Sequence, residues 1–120
     1  MPALASGREQ VLILLVDDDE CFRRAMAIGL RLEGYSVVEA CSGHEAVACA
    51  REQSFDMAVV SQWLGPERGE PVLEEIGRLQ PDAQLVSTCG QPGIHSSLVS
   101  QGRAKRLDKP AQVADLLALL

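Results

Sequence analysis

The chain has 120 residues and a net charge of −6, with 47% apolar residues and 23% charged residues. That is enough for one domain with a single core, and the acidic balance argues against an autonomous nucleic-acid binder. No apolar run approaches the ~20 residues of a membrane span. Residues 1–10 have no signal-peptide core and read as a flexible tail of a cytoplasmic protein, with the folded unit expected over 11–120.

The first element organises the rest. Val11–Val16 is an uninterrupted apolar run, and Asp17, Asp18, Asp19 and Glu20 follow at once. Such a run suits a strand buried on both faces of a parallel sheet. Ligands of open parallel sheets sit at the carboxyl ends of the strands. Asp17 and Asp18 therefore read as a site for a divalent cation such as Mg²⁺. Asp19 and Glu20 read as the acidic first turn of a helix. That helix runs from about Glu20 to Glu33, with Phe22, Met26 and Leu30 on one face, Ala25 and Ile28 beside it, and Gly34 as its stop.

A second strand is expected at Ser36–Ala40. Ser42 precedes Glu45 by three residues, a capping-box spacing. It opens a second helix to about Gln53 with Ala46, Val47 and Ala50 inward. The third strand is Met57–Ser61, followed by a loop, Gln62–Gly69, that holds the only Trp. The third helix covers Glu70–Leu79, with Pro71 in its first turn and Val72, Leu73, Ile76 and Leu79 inward. A fourth strand spans Gln84–Thr88. The segment Gly90–Gln101 is the weakest helix, because Pro92 and Gly93 interrupt its start. The fifth strand is Ala104–Leu107, leading to Asp108-Lys109-Pro110. A last helix covers Gln112–Leu120 with Val113, Leu116, Leu117 and Leu120 inward. Ending on an apolar helix, the chain reads as cut from a longer protein or as closing on a short final helix. Cys21, Cys41, Cys49 and Cys89 share no metal-type spacing and are expected as buried free thiols. His44 and His95 have no ligand-spaced partner and are expected at the surface or at helix starts.

Alternating strands and helices imply an α/β fold, a doubly wound five-stranded parallel sheet of order 2-1-3-4-5. In that order the ends of strands one and three meet at the switch point. The polar residues at the strand ends are Asp17, Asp18, Ser61, one of Ser87 or Thr88, and Lys109. Two acids, a hydroxyl and a lysine around one crevice suit a phosphate held with a divalent cation.

At this point the chain resembles the receiver domain of bacterial two-component response regulators. The matching pieces are LLVDDDE at 14–20, EGYSVVEACSGHEA at 33–46, FDMAVV at 55–60, Gly69 with its helix, PDA at 81–83 and DKP at 108–110. The resemblance implies a flavodoxin-like (βα)5 domain. It also implies an Asp at the end of strand three that takes a phosphoryl group from a histidine kinase. An acid pair would bind Mg²⁺, a strand-four Thr or Ser would contact the phosphoryl group, and a Lys before Pro would neutralise charge. Carried over, the acid pair is Asp17 and Asp18 and the lysine is Lys109.

The acceptor position is Ser61. Asp56 cannot replace it, because it lies at the opposite end of the strand, ~17 Å away at ~3.3 Å per residue. A serine lacks the carboxylate that forms an acyl phosphate, and the metal site loses one anionic ligand. No cofactor is expected, with Mg²⁺ weak or lost. For the strand-four hydroxyl, counting from Pro81 gives Cys89 and counting back from Lys109 gives Ser87; Thr88 between them is preferred. Where many receivers have an aromatic switch residue, three before the lysine, this chain has Arg106. Lys109 can serve as a structural ion-pair partner of Asp17 or Asp18.

The expectation is therefore a non-enzymatic, phosphorylation-independent pseudo-receiver, a cytoplasmic monomer or weak dimer. It would bind protein partners through the face of helix four, strand five and helix five. A histidine kinase or a fused output domain is the implied partner; nucleic acid and membrane are not. The alternative is a phosphorylatable regulator with residual Mg²⁺ binding and an unusual acceptor. An unrelated hydrolase using Ser61 is weaker, since no G-x-S-x-G elbow surrounds it.

Overall fold

The computed structural model describes residues 11–90 and 96–120. The expected tail at 1–10 and the surface reading of His95 fall outside them. Among the described residues, seven strands and five helices follow in the order β1 (Leu12–Val16), α1 (Glu20–Leu32), β2 (Ser36–Ala40), α2 (Gly43–Glu52), β3 (Met57–Ser61), β4 (Trp63–Leu64), β5 (Glu67–Arg68), α3 (Glu70–Leu79), β6 (Gln84–Cys89), α4 (Ser97–Ser100), β7 (Lys105–Asp108) and α5 (Val113–Leu117). The main sheet is parallel with order β2-β1-β3-β6-β7. This is the expected doubly wound order, with β6 and β7 as the fourth and fifth strands.

Period-two alternation along the strands divides the core into two layers. Ile13, Leu15, Met57, Val59, Val86 and Leu107 face Met26, Ala27 and Leu30 of α1 and Leu116 of α5. Leu14, Val16, Ala58, Val60 and Leu85 face Ala46 and Ala50 of α2, Leu73 and Ile76 of α3, and Leu98 of α4. β1 and β3 are buried on both sides, which is why they are apolar without alternation. Ser42 caps α2 by accepting from the Glu45 N–H, as its spacing predicts.

The structure departs from the sequence reading in seven places. Gln62–Gly69 is not an irregular loop throughout: β4 and β5 pair as a two-stranded ribbon around Gly65-Pro66, with Gly65 at φ +63°. α4 is a single turn, and α5 ends at Leu117, leaving Leu120 41% exposed. β7 begins and ends one residue later than expected, and β6 extends by one. On α1, Ala25 is exposed and Ile28 is 55% exposed, while Ala27 takes the inward place. None of the four cysteines is in a disulfide, but only Cys89 is buried; Cys49 is half-buried, and Cys21 and Cys41 stand at exposed helix and strand ends. Cys41 follows β2 between Ala40 and Ser42 and Cys21 sits in the first turn of α1 among Glu20 and Arg23, both at the rim of the sheet, where side chains meet solvent.

Candidate functional site

The crevice at the carboxyl end of the sheet starts from β1. The Asp17 N–H donates to the Ala40 carbonyl at 3.1 Å, extending the β1–β2 ladder one residue past the strand. Asp17 is 2% exposed. Its Oδ1 accepts from the Asp19 N–H at 3.0 Å and its Oδ2 accepts from Lys109 Nζ at 2.7 Å. Lys109 is placed by the same device on the other side of the sheet, its N–H donating to the Cys89 carbonyl at 2.8 Å. The Lys109–Pro110 bond is cis, and Nζ lies 4.6 Å from the centroid of the Phe22 ring. Burying a carboxylate is costly unless it is paired and hydrogen-bonded, and Asp17 meets both conditions. Arg23 adds a backbone tie, donating to the Asp17 carbonyl at 2.8 Å and to Glu39 Oε1 at 3.1 Å.

The other acids are divided among different tasks. Asp18 is exposed, and its Oδ2 accepts from the Gly65 N–H at 2.7 Å, which fixes the β4–β5 ribbon against the acid loop. Asp19 caps α1, accepting from the Phe22 N–H at 3.1 Å. Glu20 is in the first turn, paired with Arg24 at 3.6 Å. Asp56 sits at the far end of β3, where its Oδ2 accepts from the Leu12 N–H at 2.8 Å.

Ser61 is the last residue of β3 and is buried. It is the register partner of Thr88, which in turn pairs with Leu107. Alternation puts Asp17 on the face of Ile13 and Leu15, Ser61 on that of Met57 and Val59, Thr88 on that of Val86, and Lys109 on that of Leu107. These four residues share one face of the sheet rim. Ser87 and Cys89 belong to the opposite face. Ser87 pairs in register with Arg106, whose guanidinium binds Asp108 at 2.6 Å. Thr88 Oγ1 and Gln62 Oε1 are buried with no hydrogen-bond partner among the described residues. Gly69 closes the site from outside: a Cβ there would lie 1.8 Å from the Ser61 carbonyl oxygen, so only glycine passes so close.

The donor set fits a divalent cation poorly. Both Asp17 oxygens are engaged, one Asp18 oxygen is held by Gly65, and Ser61 carries no charge. Among the described residues no three His, Cys, Asp or Glu side chains come together in a way that would hold a metal ion.

Arg23, Gly65, Gln62 and Glu70 escaped the sequence reading. Glu70, in the first turn of α3, accepts from the Ser96 hydroxyl at 3.1 Å and from the N–H and hydroxyl of Ser97. Those bonds, the Ser97 hydroxyl foremost, hold its carboxyl below the usual glutamate range. No local pattern announces such long-range ties; only the strand-end polar residues had a signal. His44 lies exposed in the first turn of α2, as expected.

A parallel 2-1-3 sheet with polar residues gathered at its switch point defines a doubly wound α/β domain whose site lies beyond the carboxyl ends of its strands. The family model of the response regulator receiver domain matches residues 13–120, and the chain belongs to that family: it is a receiver domain of a two-component response regulator. The acid tolerance regulatory protein ActR of Sinorhizobium medicae is 33% identical over 110 residues, covering 90% of this chain and 57% of the relative. The photosynthetic apparatus regulatory protein RegA of Rhodovulum sulfidophilum is 33% identical over 116 residues, covering 93% and 62%. The chain thus spans about three-fifths of these curated relatives. Among solved structures, a Burkholderia pseudomallei response regulator with a phosphorylated aspartic acid, calcium ion and citrate superposes with TM-score 0.85 at 33% identity, covering 92% of this chain and 66% of the neighbour. A CheY-like receiver domain protein from Methanospirillum hungatei gives 0.81 at 27% identity, covering 91% and 89%.

Proposed function

We propose that this domain is a degenerate receiver that does not run the aspartyl-phosphate cycle and acts as a phosphorylation-independent protein–protein interaction module. The observation that carries the reading is Ser61 at the end of β3, on the same sheet face as Asp17, Thr88 and Lys109. A neighbour of the same fold carries a phosphorylated aspartic acid and a calcium ion. The corresponding chemistry needs a carboxylate nucleophile, and Ser61 offers a neutral hydroxyl whose phosphate ester would not reverse rapidly. Lys109 bonded to Asp17 supports the same conclusion. The lysine neutralises a buried acid instead of awaiting a phosphoryl group, and the cation's ligand set is one anion short.

On this reading the domain is not an enzyme and needs no cofactor. It works in the cytoplasm through the surface of α4, β7 and α5, against a histidine kinase or a fused output domain. Arg106 on that face, bonded to Asp108, replaces an aromatic switch by a fixed polar pair. Incubation with a small acyl-phosphate donor and Mg²⁺ tests the reading by intact mass. The mass is expected to stay unchanged; a hydroxylamine-labile phosphate adduct overturns it.

A further inference from the structure

We propose that the outward pole of α1 is a self-association surface, on which a second copy of the chain docks with its own α1 antiparallel to the first. The proposal goes beyond the reading of Ser61 and does not depend on it. At 100° per residue, Cys21, Ala25, Ile28 and Leu32 form one stripe directly opposite the buried Met26, Ala27 and Leu30. Cys21 and Ala25 are exposed, Ile28 is 55% exposed and Leu32 is 83% exposed. A helix that is apolar on its outward pole as well as its inward one is ordinarily covered on both.

The stripe is complementary to itself in one direction only. Its small residues lie toward the N-terminus and its large ones toward the C-terminus. Antiparallel packing sets each Leu32 over the second copy's Cys21 and each Ile28 over the second copy's Ala25, filling both ends. Charge selects the same arrangement. Glu20 in the first turn and Arg31 in the last lie on one flank of the stripe. Antiparallel helices bring Glu20 of each copy beside Arg31 of the other, twice by symmetry, and oppose the two helix dipoles. Parallel packing sets the small residues against each other with a gap between them, and puts the Glu20 and Arg31 flanks of the two copies on opposite sides of the contact, where they cannot pair. Arg31 keeps 46% of its side chain open while bonded to Glu39 and to the Val37 carbonyl, and Glu20 is 70% exposed beside Arg24, so a donor and an acceptor remain for a second copy.

One helix pair is a small interface, so the dimer is expected to be weak, with dissociation in the micromolar range or above. Sedimentation velocity on the full chain across micromolar to millimolar concentration should show a reversible monomer–dimer equilibrium. Leu32→Glu and Ile28→Glu should each weaken it at least about tenfold without lowering the unfolding temperature, since both side chains face solvent in the monomer. Glu20→Arg should weaken it, and the double variant Glu20→Arg with Arg31→Glu should restore it. In a Cys41→Ser background, Leu32→Cys should form a disulfide with the second copy's Cys21 on mild oxidation. A monomer at every concentration overturns the proposal and assigns the stripe to a different partner. A dimer indifferent to Leu32→Glu, or one linked Cys21 to Cys21, overturns it as well.

Discussion

The two halves of the crevice rim are built differently. On the β1 side every charged or polar group is tied down: Asp17 to Lys109 and to the Asp19 N–H, its carbonyl to Arg23, Asp18 to Gly65. On the β3–β6 side, Thr88 Oγ1 and Gln62 Oε1 lie buried without partners among the described residues. One half is a polar network closed on itself, and the other presents buried polar atoms without partners among the described residues. Asp17, buried at 2% exposure, has to be neutralised, and Lys109 facing it at 2.7 Å does this. The hydroxyl side carries no charge, so it can stay unsatisfied at a tolerable cost.

That contrast can be broken experimentally. The largest effect is expected at the ion pair. Lys109→Ala leaves a buried carboxylate unpaired and should cost about 3 kcal/mol in urea unfolding. The double variant Asp17→Asn with Lys109→Met should recover most of it. Gly69→Ala drives a Cβ into the Ser61 carbonyl and should cost about 2–3 kcal/mol. Arg23→Met removes the bonds to the Asp17 carbonyl and to Glu39, and should cost about 1–2 kcal/mol. Thr88→Val should be neutral or slightly stabilising, because no bond is lost and an unpartnered polar atom is removed. A loss like that of Lys109→Ala would erase the contrast between the halves.

The smallest effect concerns Glu70, away from both halves. Its folded pKa lies below its ordinary value because the Ser97 and Ser96 groups bond the charged form. The tie therefore contributes stability above the ordinary glutamate pKa of about 4.3, and that contribution is lost as pH falls through the folded value. Thermal unfolding of Glu70→Gln against pH should lack this acid-side decline. An identical pH profile would dissociate α4 from Glu70.

Much of this was legible in the chain itself. The buried strands β1 and β3 advertise themselves as unbroken apolar runs, and Asp17, Ser61 and Lys109 mark their strand ends by being polar where such runs stop. Counting alone leaves Ser87, Thr88 and Cys89 open, because counts from Pro81 and from Lys109 disagree by two; the register puts Thr88 opposite Ser61 and on the face of Asp17 and Lys109, and Ser87 and Cys89 on the other. The β4–β5 ribbon was hidden because two-residue strands carry no periodicity, and its anchor, the Gly65 N–H on Asp18, joins positions 47 residues apart. The sequence places Ile28 beside the Phe22, Met26 and Leu30 face, but it is 55% exposed, since helical spacing identifies apolar residues on a helix without showing which of two stripes meets the sheet. Composition places Cys21 and Cys41 in the interior but is blind to the exposure of a sheet rim, where both stand.

On the proposed reading, Ser61 stands where a receiver's carboxylate nucleophile would be, in a frame that would otherwise take a phosphoryl group. Intact mass spectrometry of wild type and Ser61→Asp, each incubated with a small acyl-phosphate donor and Mg²⁺, tests it most directly. Wild type is expected to remain unmodified while Ser61→Asp gains one hydroxylamine-labile phosphate only when Mg²⁺ is present. A labile phosphate on the wild-type chain would contradict the claim.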